Sequence, residues 1–273
     1  MKALLNPHLA RVRRLLARST TVARAPVRIR DQLHGIVVEH LGHDIDMTRN
    51  GELWILRQLA PGCDSFMDVG ANVGDWTSSF LAIAPHAKGW LLEPSRTASA
   101  RLEARFASLP RIHIHRVAAS DHVGTVTFFE EPNAGHTSSV IPGISRSPTG
   151  REVETITIDK LFADEGIASL GYLKIDAEGH DLHVLRGARC TLGARLIGAV
   201  QFEYNRPWQQ AGSTLAEAIQ LLHDRDYETF LLKGPRLYRL PYDIYGEFFH
   251  YSNFVALPRH RVRRLAHMIG HAI

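Results

Sequence analysis

Residues 66–74 read Phe-Met-Asp-Val-Gly-Ala-Asn-Val-Gly. An apolar run ends at the carboxylate of Asp68, and the chain then turns through Gly70 and Gly74 into a predicted helix over 75–84. A parallel-sheet strand that hands a nucleotide-like ligand to a helix N-terminus has this form. Glycine lets the backbone come close to the ligand, and the helix end offers unpaired N–H groups. The pattern from Gly70 to Gly74 is G-x-N-x-G, not the G-x-G-x-x-G of a dinucleotide loop, which speaks against a nicotinamide oxidoreductase.

Outward from this turn the chain alternates strands and helices. The first strand is Phe66–Val69. Trp90–Leu92 lies in the second, followed by a helix over 95–107, and Ile112–Val117 forms the third. Tyr172–Ile175 is the fourth, with a helix over 179–188, and Leu196–Phe202 the fifth. A helix over 214–224 leads to the sixth strand, Tyr227–Leu232, and Asn253–Leu257 is the seventh. Val126–Phe129 and Val153–Ile158 read as extra short strands, and 51–60 as a short helix stopped by Pro61-Gly62. Strands separated by helical patterns specify an α/β protein with a doubly wound, parallel sheet. Ligands of such sheets bind beyond the carboxyl ends of the strands, so the residues ending each strand carry the information.

Charge divides the 273-residue chain unevenly. Residues 1–30 hold eight Lys/Arg and no acid, residues 259–273 hold four Arg and no acid, and the body between them is acidic. A nucleic-acid enzyme usually spreads positive charge over its active face, so the acidic body speaks against nucleic acid as the partner and against a nucleic-acid methyltransferase, a further rival reading. The charge pattern suggests a basic N-terminal extension (1–30), a catalytic domain (31–258) and a basic C-terminal tail (259–273). Leu5, Leu9, Val12 and Leu16 form an apolar stripe predicting a helix over 3–18, and Thr20, Thr21 and Pro26 mark 19–30 as a linker. Such a helix either packs on a neighbouring surface or lies on an anionic membrane. Two cysteines, Cys63 and Cys190, fit a reducing, cytoplasmic setting, with the basic ends suited to peripheral contact at the inner membrane face.

Strand ends nominate a cofactor site. Asp68, Gly70, Ala71, Asn72 and Gly74 make the first turn, and Glu93-Pro94 closes the second strand twenty-five residues after Asp68. A carboxylate there accepts two ribose hydroxyls. Ser120 and Asp121, after the third strand, offer a polar pair to an adenine edge. Carboxylates at the turn suit a ligand with cationic groups better than a phosphate-rich one.

The sequence resembles the FkbM family of S-adenosylmethionine (SAM)-dependent methyltransferases. The resemblance rests on Asp-Val-Gly-Ala-Asn-Val-Gly (68–74), Glu93-Pro94, Ala-Ala-Ser-Asp-His-Val-Gly (118–124), Leu-Lys-Ile-Asp-Ala-Glu-Gly-His (173–180), Gln-Phe-Glu-Tyr-Asn (201–205) and Ser-Asn-Phe-Val-Ala (252–256). It implies the Rossmann-like class I methyltransferase fold, with seven strands, the last antiparallel. It also implies SAM as cofactor and methyl transfer to a hydroxyl of a saccharide, glycolipid or secondary metabolite.

The reacting end is expected at strands four and five. Asp176, Glu178 and His180 follow strand four; Glu203, Tyr204 and Asn205 follow strand five. A hydroxyl becomes nucleophilic when a carboxylate or histidine draws off its proton. Asp176 is the expected base or substrate orienter, with His180 and Glu203 as alternatives. Glu178 is assigned to the cofactor or its loop, and Lys174 shares a face with Asp176. Asp176, Glu203 and Asn205 are also of the type that binds a divalent cation, which the resemblance does not imply. Residues 131–150, with Asn133, His136, Thr137, Ser138 and Ser139, are the expected lid over the acceptor. Alternatives are nitrogen or small-metabolite methylation by the same fold, and a non-catalytic binding module. The oligomeric state stays open.

Overall fold

The computed structural model describes residues 7–42, 44–131, 138–145, 149–271 and 273. The chain divides into two compact units, residues 1–42 and 43–273.

The first unit holds two helices, α1 (Pro7–Leu16) and α2 (Thr20–Leu41). The expected linker over 19–30 is therefore largely helical. Ser19 caps α2 by accepting from the Val22 amide at 3.3 Å, and Gly42 closes it with φ +82°. Pro26 lies inside α2, where it removes one backbone donor. The capped ends and the turns beyond it carry the helix through.

In the second unit, helix α3 (Glu52–Leu59) precedes β1 (Ser65–Val69), α4 (Asp75–Ile83), β2 (Lys88–Leu92), α5 (Arg96–Phe106) and β3 (Ile112–His115). Next come β4 (Ala118–Ala119), β5 (Gly124–Phe129), β6 (Gly150–Ile156), α6 (Ile158–Asp164) and β7 (Tyr172–Ile175). Short helices α7 (Asp181–Arg186) and α8 (Arg189–Gly193) lead to β8 (Val200–Tyr204), then α9 (Pro207–Gln210), α10 (Leu215–His223) and β9 (Tyr227–Lys233). The chain closes with β10 (Arg236–Tyr238), α11 (Tyr242–Tyr245), β11 (Ser252–Pro258) and α12 (Arg259–Val262).

One eight-stranded sheet runs in the order β10-β9-β11-β8-β7-β1-β2-β3. The neighbours from β8 to β3 pair in parallel, and β11 is antiparallel to both β8 and β9. The seven expected strands are thus present with the last one reversed. The eighth, β10, is a three-residue hairpin partner of β9 that no alternation in its short sequence announces. The strand expected from Leu196 begins only at Val200. The two extra segments join β4 in a separate sheet of order β4-β6-β5.

The core forms where helices cover the sheet. Phe66 of β1 stacks on Phe80 of α4 at 4.4 Å, and Trp76 of α4 lies 5.6 Å from Tyr172 of β7. Burying such rings contributes a few kcal/mol each, beginning at about 1.5 kcal/mol, and fixes α4 over the β1–β7 seam. The basic C-terminal residues are docked on this body: Val262 and Met268 are buried in the main core.

Candidate active site

Adjacent pairing of β1 with both β2 and β7 brings three strand ends together at one edge of the sheet. A cavity opens there, lined by Asp68, Gly70, Ala71, Asn72, Glu93, Pro94, Lys174, Asp176, Glu178 and His180 among others. Most of the residues nominated from sequence therefore converge.

The β1–α4 turn is shaped by close backbone approach. Gly70 has φ +77°, and a Cβ on it would sit 1.9 Å from the carbonyl oxygen of Asp176. Asn72 is also left-handed, with φ +46°. Its amide donates to Glu93 Oε2 at 2.8 Å, while the Ser95 amide donates to Glu93 Oε1 at 2.7 Å. Glu93 thus clamps two loops together. Burial pushes its carboxyl up to about 7, despite those two donors. Asp68 Oδ2 accepts from the Thr77 hydroxyl at 2.6 Å, and burial raises it to about 6 against the pull of Lys174.

Lys174 is a buried cation in an acidic setting. Its Nζ lies 2.9 Å from Asp176 Oδ2, with the lysine side chain 6% exposed and the aspartate 30%. Burial works against its charge, but Asp176, then Glu52 and Asp68, hold its pKa well above the ordinary value. Glu52 gives no motif in the sequence. It is buried at the start of α3, where Gln201 Nε2 donates to it at 2.8 Å, and Gln201 Oε1 in turn accepts from the Tyr172 hydroxyl at 2.7 Å.

The segment after β7 carries two further acids and two histidines. Glu178 is left-handed, with φ +49°, and burial followed by the charges of Asp176 and Asp181 lifts its carboxyl to about 9. Asp181 is fully buried and accepts from the Gly179 amide at 3.2 Å; burial and then Asp176 raise it to about 7. His180 stacks on His183 at 4.3 Å, and burial lowers it to about 3, leaving a neutral ring at neutral pH.

Some nominated residues stand apart from the cavity lining. Gly74 packs against α5 instead: a Cβ there would meet Phe106 and Leu102. Ser120 is buried behind His180, its hydroxyl hydrogen-bonded to Nε2 at 3.0 Å, and Asp121 pairs with His122 at 2.8 Å. Glu203 is buried and accepts from Asn205 Nδ2; burial first, then Asp176, Glu178 and Asp181, hold its carboxyl well above the usual range. Asn205 thus turns its amide to Glu203. Among the described residues no group of three or more His, Cys, Asp or Glu is arranged to hold a metal ion.

The lining also includes Ala118 and Ala119, which head the 118–124 motif, and Trp76, Ala98, Phe128 and Val140, which no motif marked. Ser138 and Ser139 of the expected lid line the cavity too, and the Ser139 hydroxyl donates to the Glu178 carbonyl at 2.9 Å. Asn133, His136 and Thr137 lie outside the described residues. The cavity therefore has a carboxylate-rich end around Asp68 and Asp176 and a more apolar wall of Pro94, Ala98, Ala118, Ala119 and Phe128. Such a lining accommodates a cationic amine or sulfonium beside a flat base.

Residues 68–229 match the methyltransferase FkbM domain. The 2-O-methyltransferase NoeI of Sinorhizobium fredii (strain NBRC 101917 / NGR234) is 26% identical over 140 residues, which are 46% of this chain and 58% of that protein. The match thus spans less than two thirds of that relative's length. Among solved structures, methyltransferase FkbM from Methylobacillus flagellatus KT superposes with a TM-score of 0.47 at 16% identity, over 70% of this chain and 43% of that one. The O-methyltransferase from Bacillus cereus gives 0.39 at 12% identity, over 82% and 86%.

Proposed function

The chain belongs to the FkbM methyltransferase family, and from that premise we propose that it is a SAM-dependent O-methyltransferase acting on a hydroxyl of a saccharide, glycolipid or related small molecule. The observation that carries this reading is the Lys174–Asp176 pair on the cavity wall, beside the Gly70 turn.

Asp68, Gly70, Ala71, Asn72 and Glu93 would hold the cofactor, with Pro94, Ala98, Ala118, Ala119 and Phe128 against its base. When bound, SAM supplies the methyl group as a sulfonium. The chain's residues bind, orient and move a proton. Asp176, half-buried and braced by Lys174, receives the acceptor hydroxyl's proton. Lys174 keeps that carboxylate in place. Glu178, whose environment favours the neutral acid, serves as a hydrogen-bond donor to acceptor or backbone oxygens. His180, anchored by Ser120, shapes the wall. Support for oxygen as the methylated atom comes from the relative named 2-O-methyltransferase, over the part of the chain that matches it.

The test is transfer of labelled methyl from SAM to a panel of mono- and oligosaccharides, with amines as the comparison set. Labelled ethers on saccharide hydroxyls support the reading. Labelling confined to amines overturns the choice of oxygen, and a folded protein that does not bind SAM overturns the enzyme assignment.

A further inference from the structure

Eight of the eleven large apolar side chains that stand exposed among the described residues fall between Val12 and Ile36, in the two-helix unit. On α2 the residues Val22, Ile29, Leu33 and Ile36 recur at spacings of seven, four and three, which places them in one stripe along the helix. Ile29 is 60% exposed and Ile36 65%. On α1, Val12, Leu15 and Leu16 are likewise exposed, with Arg11, Arg13 and Arg14 beside them. Leaving this much apolar surface in water costs free energy unless something covers it.

The charge of the same segment says what covers it. Residues 1–42 carry eight Lys/Arg against only Asp31 and Glu39. The rest of the chain holds more acids than bases. The other basic end does not share this design, because Val262 and Met268 are buried in the core of the body. An apolar stripe flanked by arginines matches the boundary between acyl chains and anionic headgroups. No helix among the described residues is long and apolar enough to cross a membrane, so the contact is with the surface.

We propose that α1 and α2 form a peripheral attachment site for an anionic lipid bilayer, with the Val22–Ile36 stripe entering the headgroup boundary and the arginines pairing with lipid phosphates. The attachment is independent of which acceptor is methylated.

The experiment is vesicle flotation of the full chain, using phosphatidylcholine vesicles with and without phosphatidylglycerol. Binding is expected to be at least about tenfold stronger to the anionic vesicles, and to fall as salt shortens the Debye length from about 10 Å toward 3 Å. Two variants separate the contributions: Ile29→Asp with Leu33→Asp and Ile36→Asp removes the stripe, and Arg11→Gln with Arg13→Gln and Arg14→Gln removes the charge. Both should lose binding while the melting of the body is unchanged. Equal binding to neutral and anionic vesicles overturns the proposal. So does binding that both variants retain. A stripe-dependent dimer seen by light scattering, with no vesicle binding, overturns it in favour of a second copy as the occupant.

Discussion

The ammonium of Lys174 sits 2.9 Å from the carboxylate of Asp176, two residues along the chain, with the lysine buried and the aspartate reaching the cavity. Strand alternation puts both on one face, and the end of β7 lets only the second meet solvent. Replacing Lys174 by Met removes one partner of this pair and leaves Asp68, Glu52 and Asp176 uncompensated. The expected loss of stability is about 3–5 kcal/mol, read from denaturant unfolding. Lys174→Arg should restore part of it.

Asp176→Asn keeps the shape and removes the proton acceptor. Methyl transfer is expected to fall about 10²–10⁴-fold, with SAM affinity retained to within a small factor. Single-turnover transfer and calorimetric titration separate the two. Retained turnover would move the base to His180, which lines the same cavity.

Gly70→Ala places a methyl group 1.9 Å from the Asp176 carbonyl, at φ +77°. Neither the turn nor the strand end can give way without moving the cavity wall. A destabilisation of at least about 2 kcal/mol is expected, with SAM binding lost in whatever fraction folds. Thermal melting and calorimetry check both.

Glu93→Ala strips the acceptor from two amides, the buried one of Ser95 and the part-buried one of Asn72. Each orphaned donor costs about 1–3 kcal/mol. SAM affinity should drop at least about tenfold even if ribose contacts are minor, because the loop that shapes the cavity loosens. Glu93→Gln, which can still accept at one oxygen, should lie between wild type and alanine.

Stability of the ligand-free protein should decline as pH rises. Glu178, Glu93 and Asp181 have folded values of about 9, 7 and 7, all above their ordinary ones. Between pH ~4.5 and ~9 the folded state therefore binds more protons than the unfolded state, and stability is lost across that window. His180 acts in the opposite sense: its folded value of about 3 means stability is lost as pH falls below its ordinary value of 6.5. The melting temperature should thus peak in mildly acid solution. Glu178→Gln should flatten the alkaline side, as measured by melts from pH 5 to 9 (about the range set by these values).

Much of the site was legible because a parallel sheet displays its ligand groups at strand ends. Asp68, Glu93 and Asp176 each end an apolar run, and β1 pairs with the two strands carrying the others. Ser120 and Asp121 show the limit of that reasoning. They follow a strand end as expected, yet they sit behind His180, because Gly187 lets the β4 end and the α7 end approach so closely that a Cβ there would fall 2.0 Å from the Ser120 carbonyl.

The local sequence determined the order of strands and helices, the glycine turn and the acids that end each strand, since periodicity and backbone freedom are properties of neighbouring residues. Only the tertiary structure decided that Glu52 reaches Gln201 from 149 positions away and stands close enough to help hold Lys174 charged. It alone also decided that Trp76 and Phe128 wall the cavity, and that apolar residues on α1 and α2 remain uncovered. The reason is physical: burial and charge proximity are sums over neighbours in space, and no window along the chain contains them.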